Sequence, residues 1–214
     1  DRILNRFDPK SEVSKINALH SQNSIPISTE LGNILQLCQY YYEHTFHLFD
    51  ITLKDFSEIQ FCNRHISLPA SELTLDFGGF AKGYALQKIR NILQQENLQN
   101  AFIDGNSTIV GMGHHPYGNC WKVSFLNPYN QSILKEFNLK DCALSTSGNT
   151  LQYNRHIINP LTGIYNGERK ASTILSPDPL EAEILSTVWM IADHRQREYI
   201  AKNFKDIQAT LYDL

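Results

Sequence analysis

Residues 76–85 read Asp76-Phe77-Gly78-Gly79-Phe80-Ala81-Lys82-Gly83-Tyr84-Ala85, and the organisation of the chain follows from how this run is read. Upstream, Leu73-Thr74-Leu75-Asp76 has the composition of a strand, expected over 72–76. Downstream, the apolar spacing predicts a helix over 81–97. The run is therefore a strand-to-helix turn. Adjacent glycines there let the backbone approach a bulky ligand and tolerate dihedrals that a Cβ forbids. The first N–H groups of the helix and the charge of Lys82 favour an anion, and a nucleotide pyrophosphate suits such a place. The same residues also read as a tight turn with a solvated lysine. The spacing is neither the Gly-x-Gly-x-x-Gly fingerprint nor a P-loop.

Outward from this turn, residues 1–6 read as the end of a helix and 11–20 as a short segment after the Asp8-Pro9 turn. Ser28 or Thr29 can cap an amphipathic helix from about Glu30 to His44, with Leu31, Ile34, Leu35, Cys38 and Tyr41 or Tyr42 on one face. Residues 45–57 are loop-like apart from Phe49-Asp50-Ile51-Thr52. Short strands are expected at 65–67, 100–104, 107–112, 120–126, 133–138, 142–145, 154–158 and 171–175. Helices follow from Pro179 to Ala192 and from about Gln196 to Asn203, and 207–213 alternates like an edge strand. The pattern defines an α+β protein, mostly antiparallel sheet with packed helices.

With 214 residues and 42% apolar content, the chain is long enough for a substantial core. A net charge of -3, with no run of Lys or Arg, argues against a nucleic-acid partner. The longest apolar stretches are far short of a membrane span. Four cysteines (Cys38, Cys62, Cys120, Cys142) show no metal or redox spacing, and Cys38 reads as a buried small hydrophobe. The chain opens at Asp1-Arg2-Ile3 with no signal-peptide pattern.

Three downstream segments bear chemistry. Ser145-Thr146-Ser147-Gly148-Asn149 packs three hydroxyls before a glycine. His156-Ile157-Ile158-Asn159-Pro160-Leu161-Thr162-Gly163 puts a histidine before an apolar pair and a turn. Such a histidine shuttles protons near neutral pH when the fold aims it inward, and is otherwise structural. Ala182-Glu183-Ile184-Leu185-Ser186-Thr187 places Glu183 and Thr187 four apart, on one helix face, where both can point at one cation. A hard ion such as Mg²⁺ takes oxygen ligands of this kind, although the pair also reads as a solvated glutamate and a helix-interior threonine.

Taken in order, these segments resemble the FAD:protein FMN transferase family, the ApbE-like flavin transferases. The family pattern runs Asp-Leu-Gly-Gly-x-Ala-Lys-Gly-Tyr, Ala-Thr-Ser-Gly, His-x-Ile-Asp-Pro-x-Thr-Gly and Ala-Asp-x-x-x-Thr. Arg6-Phe7-Asp8-Pro9-Lys10-Ser11-Glu12-Val13-Ser14-Lys15-Ile16-Asn17 and Phe49-Asp50-Ile51-Thr52 are similar to its N-terminal segment and its Phe-Asp-x-Thr element, so the matches reach from about Arg6 to about Ala192. The resemblance implies one two-lobed unit over 1–214. It also implies transfer of the FMN half of FAD to a Ser or Thr hydroxyl of an acceptor protein, with AMP leaving and Mg²⁺ as cofactor. It assigns the metal to Glu183, Thr187 and the carbonyl of Gly79, catalysis to His156 and Lys82, and flavin dinucleotide contacts to Phe7, Phe49, Asp50, Asp76, Gly78, Lys82, Thr146, Ser147 and Ile158. Family members are commonly exported or membrane-facing in bacteria, which implies a membrane-protein acceptor as one option and a trimmed export segment; the family's Met-Gly-Thr strand is missing from this sequence, either trimmed away or never part of the protein.

The motifs depart from the pattern at named places. Glu183 replaces an Asp, Asn159 replaces an Asp, Asp104-Gly105-Asn106 stands for Gly-Gly-Asp, and Thr45-Phe46-His47-Leu48 lacks two glycines before Phe49-Asp50. Three functions therefore stay open: a flavin transferase, an FAD-binding protein of the same fold without transferase chemistry, and an enzyme that hydrolyses the FAD pyrophosphate.

Overall fold

Five α-helices, one 3-10 turn (Phe56–Glu58) and twelve strands make up the regular structure of the residues described (2–18, 24–62, 64–68, 73–152, 154 and 156–214) in a computed structural model. The first part of the chain holds α1 (Glu12–Asn17), β1 (Ile25–Pro26), α2 (Thr29–His44), β2 (Gln60–Cys62) and β3 (His65–Ser67). Then come α3 (Ala81–Gln95), β4 (Ala101–Asp104), β5 (Thr108–Met112), β6 (Trp121–Leu126), β7 (Ile133–Leu139) and β8 (Cys142–Gly148). The chain ends with β9 (Ile158–Asn159), β10 (Ile164–Tyr165), β11 (Lys170–Ser176), α4 (Pro179–Ile191), α5 (His194–Asn203) and β12 (Gln208–Asp213). Two compact units result, one from residues 1–78 with 158–164 and one from 79–157 with 165–214. The α+β class and its antiparallel sheet are as expected from the sequence.

In the first unit, Ser28 caps α2 by accepting from Leu31 N, and Leu31, Ile34, Leu35, Cys38, Tyr41 and Tyr42 form its buried face. The Tyr42 hydroxyl donates to Asp55 at 3.0 Å. Burial, and then the Asp55 carboxylate, push that phenol up to about 12. Two expected elements fail to form here. Residues 2–4 are turns rather than a helix end, because the side chains of Asn5 and Asp8 capture Phe7 N and Lys10 N and so compete with helical bonding. Residues 73–76 lie outside any strand ladder, while residue 72 is not among those described. The Asn17 carboxamide takes the place of a neighbouring strand, accepting from Leu75 N at 2.7 Å and donating to Leu75 O at 2.9 Å.

The second unit is built on the sheet β12-β11-β8-β5-β4, with β12 at an edge as its alternation implies. Strand alternation sorts β8 between two environments. Leu144 packs with Phe137 and Leu139 of β7, so the β6–β7 ribbon covers one face. Ala143, Ser145 and Ser147 take the other orientation, and α4 packs on β8 and β11. Helix α4 is buried almost all round because α3 lies against it as well. Expected strand 154–158 reduces to Ile158: residue 155 is not described, and 156–157 are irregular. This stretch, 158–164, belongs to the first unit, and its turn is tight because Asn159 O accepts from Thr162 N and Gly163 N.

Helices α3 and α4 meet at Gly83. A Cβ there would lie 2.6 Å from Glu183 Cβ and 2.8 Å from the Pro179 carbonyl oxygen. Gln87 Nε2 reinforces the contact by bonding both oxygens of Asp178, the N-cap of α4, at 2.9 and 2.8 Å. Helix propensity favours alanine over glycine by about 1 kcal/mol, so Gly83→Ala isolates the packing effect. The expected outcome is a net loss of roughly 1–3 kcal/mol from overpacking, read as a lower urea midpoint. An unchanged midpoint would mean that the helices do not approach this closely. Thiol labelling tests the first unit: Cys62 is exposed and Cys38 buried, with the Cys38 thiol pushed up by burial and then by Asp50. Cys62 should react at once with a thiol reagent and Cys38 only on unfolding.

Candidate functional site

The sequence of β8 puts Ser145 and Ser147 on the α4 side of the sheet, and α4 answers with Glu183, Ser186 and Thr187. Ser147 Oγ lies 2.7 Å from Ser186 Oγ and 3.2 Å from Thr187 Oγ1. Ser145 Oγ lies 3.1 Å from Ser186 Oγ and 2.9 Å from Thr108 Oγ1 of β5. The Ser186 hydroxyl also donates to Glu183 O at 2.9 Å. Six oxygen-bearing side chains thus form one network over the sheet.

Glu183 is the charged member of this network, and its side chain is only 5% exposed. A buried carboxylate is tolerated when it is paired and hydrogen-bonded. Lys82 Nζ donates to Oε1 and Thr108 Oγ1 donates to Oε2. Since a hydroxyl has one proton, Thr108 is left to accept from Ser145. The lysine comes from the first turn of α3, whose N-terminus has no side-chain cap, and Gly83 brings it within reach.

Gly79 runs beside this group, for a Cβ built on it would lie 3.8 Å from Thr187 Oγ1. Neither Gly78 nor Gly79 has a positive φ. The expectation that they relieve forbidden dihedrals is therefore corrected: what they supply is bare backbone. Glu183, Thr187 and the Gly79 backbone offer oxygen donors of the hard kind that Mg²⁺ takes. Among the described residues no group of three or more His, Cys, Asp and Glu is placed to hold a metal, so a cation here would meet a single protein carboxylate. The donor set fits such an ion, with Lys82 as the present partner of its one charge.

The other residues singled out in the sequence have different settings. Within the first unit, Asp76 Oδ2 pairs with Arg6 at 2.8 Å and Oδ1 accepts from Gly78 N at 2.9 Å, so it orients the glycine turn. Phe7 is 81% exposed, with the Arg6 guanidinium 4.8 Å from its ring centroid. Phe49 is buried against Tyr41, and Ile158 is half-buried. Asp50 is buried and spent on Thr52 N, Thr52 Oγ1 and Phe56 N, a turn-forming role. In the second unit Thr146 points away from α4, with its N–H and hydroxyl on Ser107 O. His156 is exposed and bonded to none of the network side chains. Sequence reading missed Thr108, Ser186, Ser145 as a partner of Glu183, and Gly83. The period-2 spacing of Ser145 and Ser147 was the available signal for the serine.

An α+β fold with a lysine, a buried glutamate and a row of hydroxyls beside a double glycine defines a class of protein, and comparison narrows it. The profile of the ApbE family matches residues 1–65 and 55–211. The chain belongs to the ApbE family. It is 29% identical over 202 residues to the FAD:protein FMN transferase of Chlamydia trachomatis serovar D, covering 76% of this chain and 61% of that protein. With the FAD:protein FMN transferase of Chlamydia pneumoniae it shares 24% identity over 236 residues, covering 91% and 73%. The chain thus spans about three fifths of the first relative's length. The fold matches the flavin transferase ApbE from Vibrio cholerae with a TM-score of 0.84 at 19% identity, over 97% of this chain and 79% of that one. The ApbE protein of Thermotoga maritima gives 0.85 at 20% identity, over 98% and 81%.

Thr108→Val tests the buried network without touching the lysine. It removes the nearer of the two hydroxyl donors to Glu183 Oε2, leaving Ser145 Oγ at 3.5 Å, and the expected cost is roughly 1–3 kcal/mol of stability in chemical denaturation. Thr108→Ser keeps the hydroxyl and should restore most of it. Equal stability of all three proteins would show that the carboxylate does not depend on Thr108.

Proposed function

We propose that this chain binds FAD and transfers its FMN half to a Ser or Thr hydroxyl of an acceptor protein, releasing AMP. The observation that carries the reading is the meeting of Lys82 with the Glu183–Thr187 face of α4 beside the bare backbone of Gly79. Membership of the ApbE family and the names of its relatives support it. In this reading the Lys82 ammonium pairs with pyrophosphate oxygens at the start of α3, where the helix terminus already favours an anion. Ser147 donates to a phosphate or flavin oxygen from the strand beside α4. Glu183, Thr187 and Gly79 would hold Mg²⁺, which supplies charge neutralisation on the pyrophosphate and orients the leaving group. The acceptor oxygen forms the new bond to the FMN phosphorus as the bond from that phosphorus to the AMP oxygen breaks. His156, exposed and so accessible to a protein substrate, takes the acceptor's proton.

One observation favours a second reading, an FAD-binding protein without transfer chemistry: the charge of Glu183 is already cancelled by Lys82. Incubation with FAD and Mg²⁺, with and without a peptide bearing a target Thr, separates the possibilities by mass spectrometry. The transferase adds FMN to the peptide and releases AMP. FAD that binds and remains intact supports the binding protein, and AMP released equally without peptide indicates hydrolysis. His156→Ala should leave FAD affinity unchanged and lower the transfer rate by roughly 10²–10⁴-fold, the usual contribution of a positioned base. A parallel fall in affinity, melting temperature and rate would make His156 structural instead.

A further inference from the structure

Lys82 and Glu183 differ in how firmly each is held. The glutamate is 5% exposed, rooted in α4, with Thr108 on its second oxygen. The lysine side chain is 43% exposed and reaches the carboxylate from a flexible four-carbon stem. One partner is fixed and the other is free to swing out. While they are joined, their formal charges sum to zero, and the lysine occupies Oε1, the oxygen that Thr108 leaves open. The face then presents a divalent cation with neutral oxygens alone, those of Thr187, Ser147 and backbone. Hard divalent ions are held in proteins through one or more free carboxylates.

Resting on the flavin-transferase reading, we infer that Lys82 is an internal counter-cation that keeps the divalent-cation site closed until an anionic dinucleotide draws the lysine away. A pyrophosphate bears two charges and several acceptor oxygens, so it outcompetes a single carboxylate for the ammonium. Departure of Lys82 leaves Glu183 buried and unpaired, a costly state. A metal ion relieves that cost. Dinucleotide and cation therefore bind with positive coupling, and each raises the affinity of the other by the same factor. The device needs no movement of either helix, because Gly83 fixes their separation and only the lysine side chain changes place.

The test is a Mn²⁺ titration of FAD-free protein, followed by the electron-spin-resonance signal of free Mn²⁺. Lys82→Met should bind Mn²⁺ about tenfold more tightly than wild type or better, the scale of one charge-assisted hydrogen bond to the carboxylate. Lys82→Arg keeps a cation on Glu183 and should stay as weak as wild type. The Lys82→Met, Glu183→Gln double variant should lose the gain. Mn²⁺ should also raise the melting temperature of Lys82→Met and leave that of FAD-free wild type unmoved, a readout independent of turnover. Should Lys82→Met fail to fold, Lys82→Gln takes its place in the same titration. Equal Mn²⁺ affinity for wild type and the neutral variant, with tight binding by FAD-saturated wild type, overturns the counter-cation alone. Absence of Mn²⁺ binding in every form, FAD-saturated wild type included, overturns it together with the cation site on which it rests.

Discussion

The absence of a side chain at Gly83 sets the spacing of α3 and α4, and the chemistry of the second unit depends on that spacing. With a Cβ at 2.6 Å from Glu183 Cβ, the helices would have to part, and Lys82 in the first turn of α3 would draw away from the carboxylate. Glu183 would then be buried with its charge uncompensated, a situation proteins avoid at a cost of several kcal/mol. The hydroxyl network follows from the same contact. Thr108, Ser145, Ser147 and Ser186 are hydrogen-bonded where they are because α4 is pressed onto β8 deeply enough for its polar side chains to meet those of the sheet. The third glycine of the Gly-Gly-x-x-Lys-Gly run is thus a packing residue.

In the first unit, side chains stand in for backbone partners. Asn17 bonds both polar groups of Leu75 as a strand would, and Asp50 gathers Thr52 and Phe56 as a turn would. Asp76 then holds Gly78 on one oxygen and Arg6 on the other. Carboxamides and carboxylates suit this work because each offers several lone pairs in fixed geometry. Polar residues that look functional in a motif can therefore be consumed in fixing the chain. Asp50 is the clearest case, since both of its oxygens are occupied within its own loop.

The long elements were legible because their periods are strong. Helix α2 buries Leu31, Ile34, Leu35 and Cys38 as expected, with both Tyr41 and Tyr42 where one of the two was expected, and β12 alternates and lies at the sheet edge. The glycine-rich run, the hydroxyl segment and the Glu183–Thr187 pair were legible as one candidate cluster, and the fold does bring Lys82, Gly79, Ser147, Glu183 and Thr187 together. What stayed hidden depended on contacts distant in sequence. Thr108 is 75 residues from the carboxylate that it serves, and no local pattern marks it. The segment at 73–76 has the composition of a strand, yet its polar groups go to the distant Asn17 carboxamide and to Ile51 O rather than to a ladder. The pairing of Lys82 with Glu183 spans 101 residues, and its consequence for charge is invisible until the two helices meet.

The departures from the family pattern divide along the same line between local and distant effects. Asp104 accepts from Asn106 N at 2.7 Å, supporting a residue with φ of 74°, so the carboxylate stabilises the turn that replaces a glycine pair. Asn159 accepts from Leu161 N at 3.0 Å, a task that needs an oxygen and no charge. Phe46 and His47 both take positive φ just before Phe49-Asp50, each at a cost of roughly 1–2 kcal/mol for an L-residue. His47 offsets part of it by stacking on Tyr42 at 4.1 Å with an interplanar angle of 1°. The first two changes are settled within their own turns, and the third against the last turn of α2. Glu183 is different in kind. Its longer side chain sets a buried negative charge where a lysine from another helix and a threonine from a strand both reach it, so this one replacement alters the charge balance of the whole oxygen cluster rather than the shape of a turn.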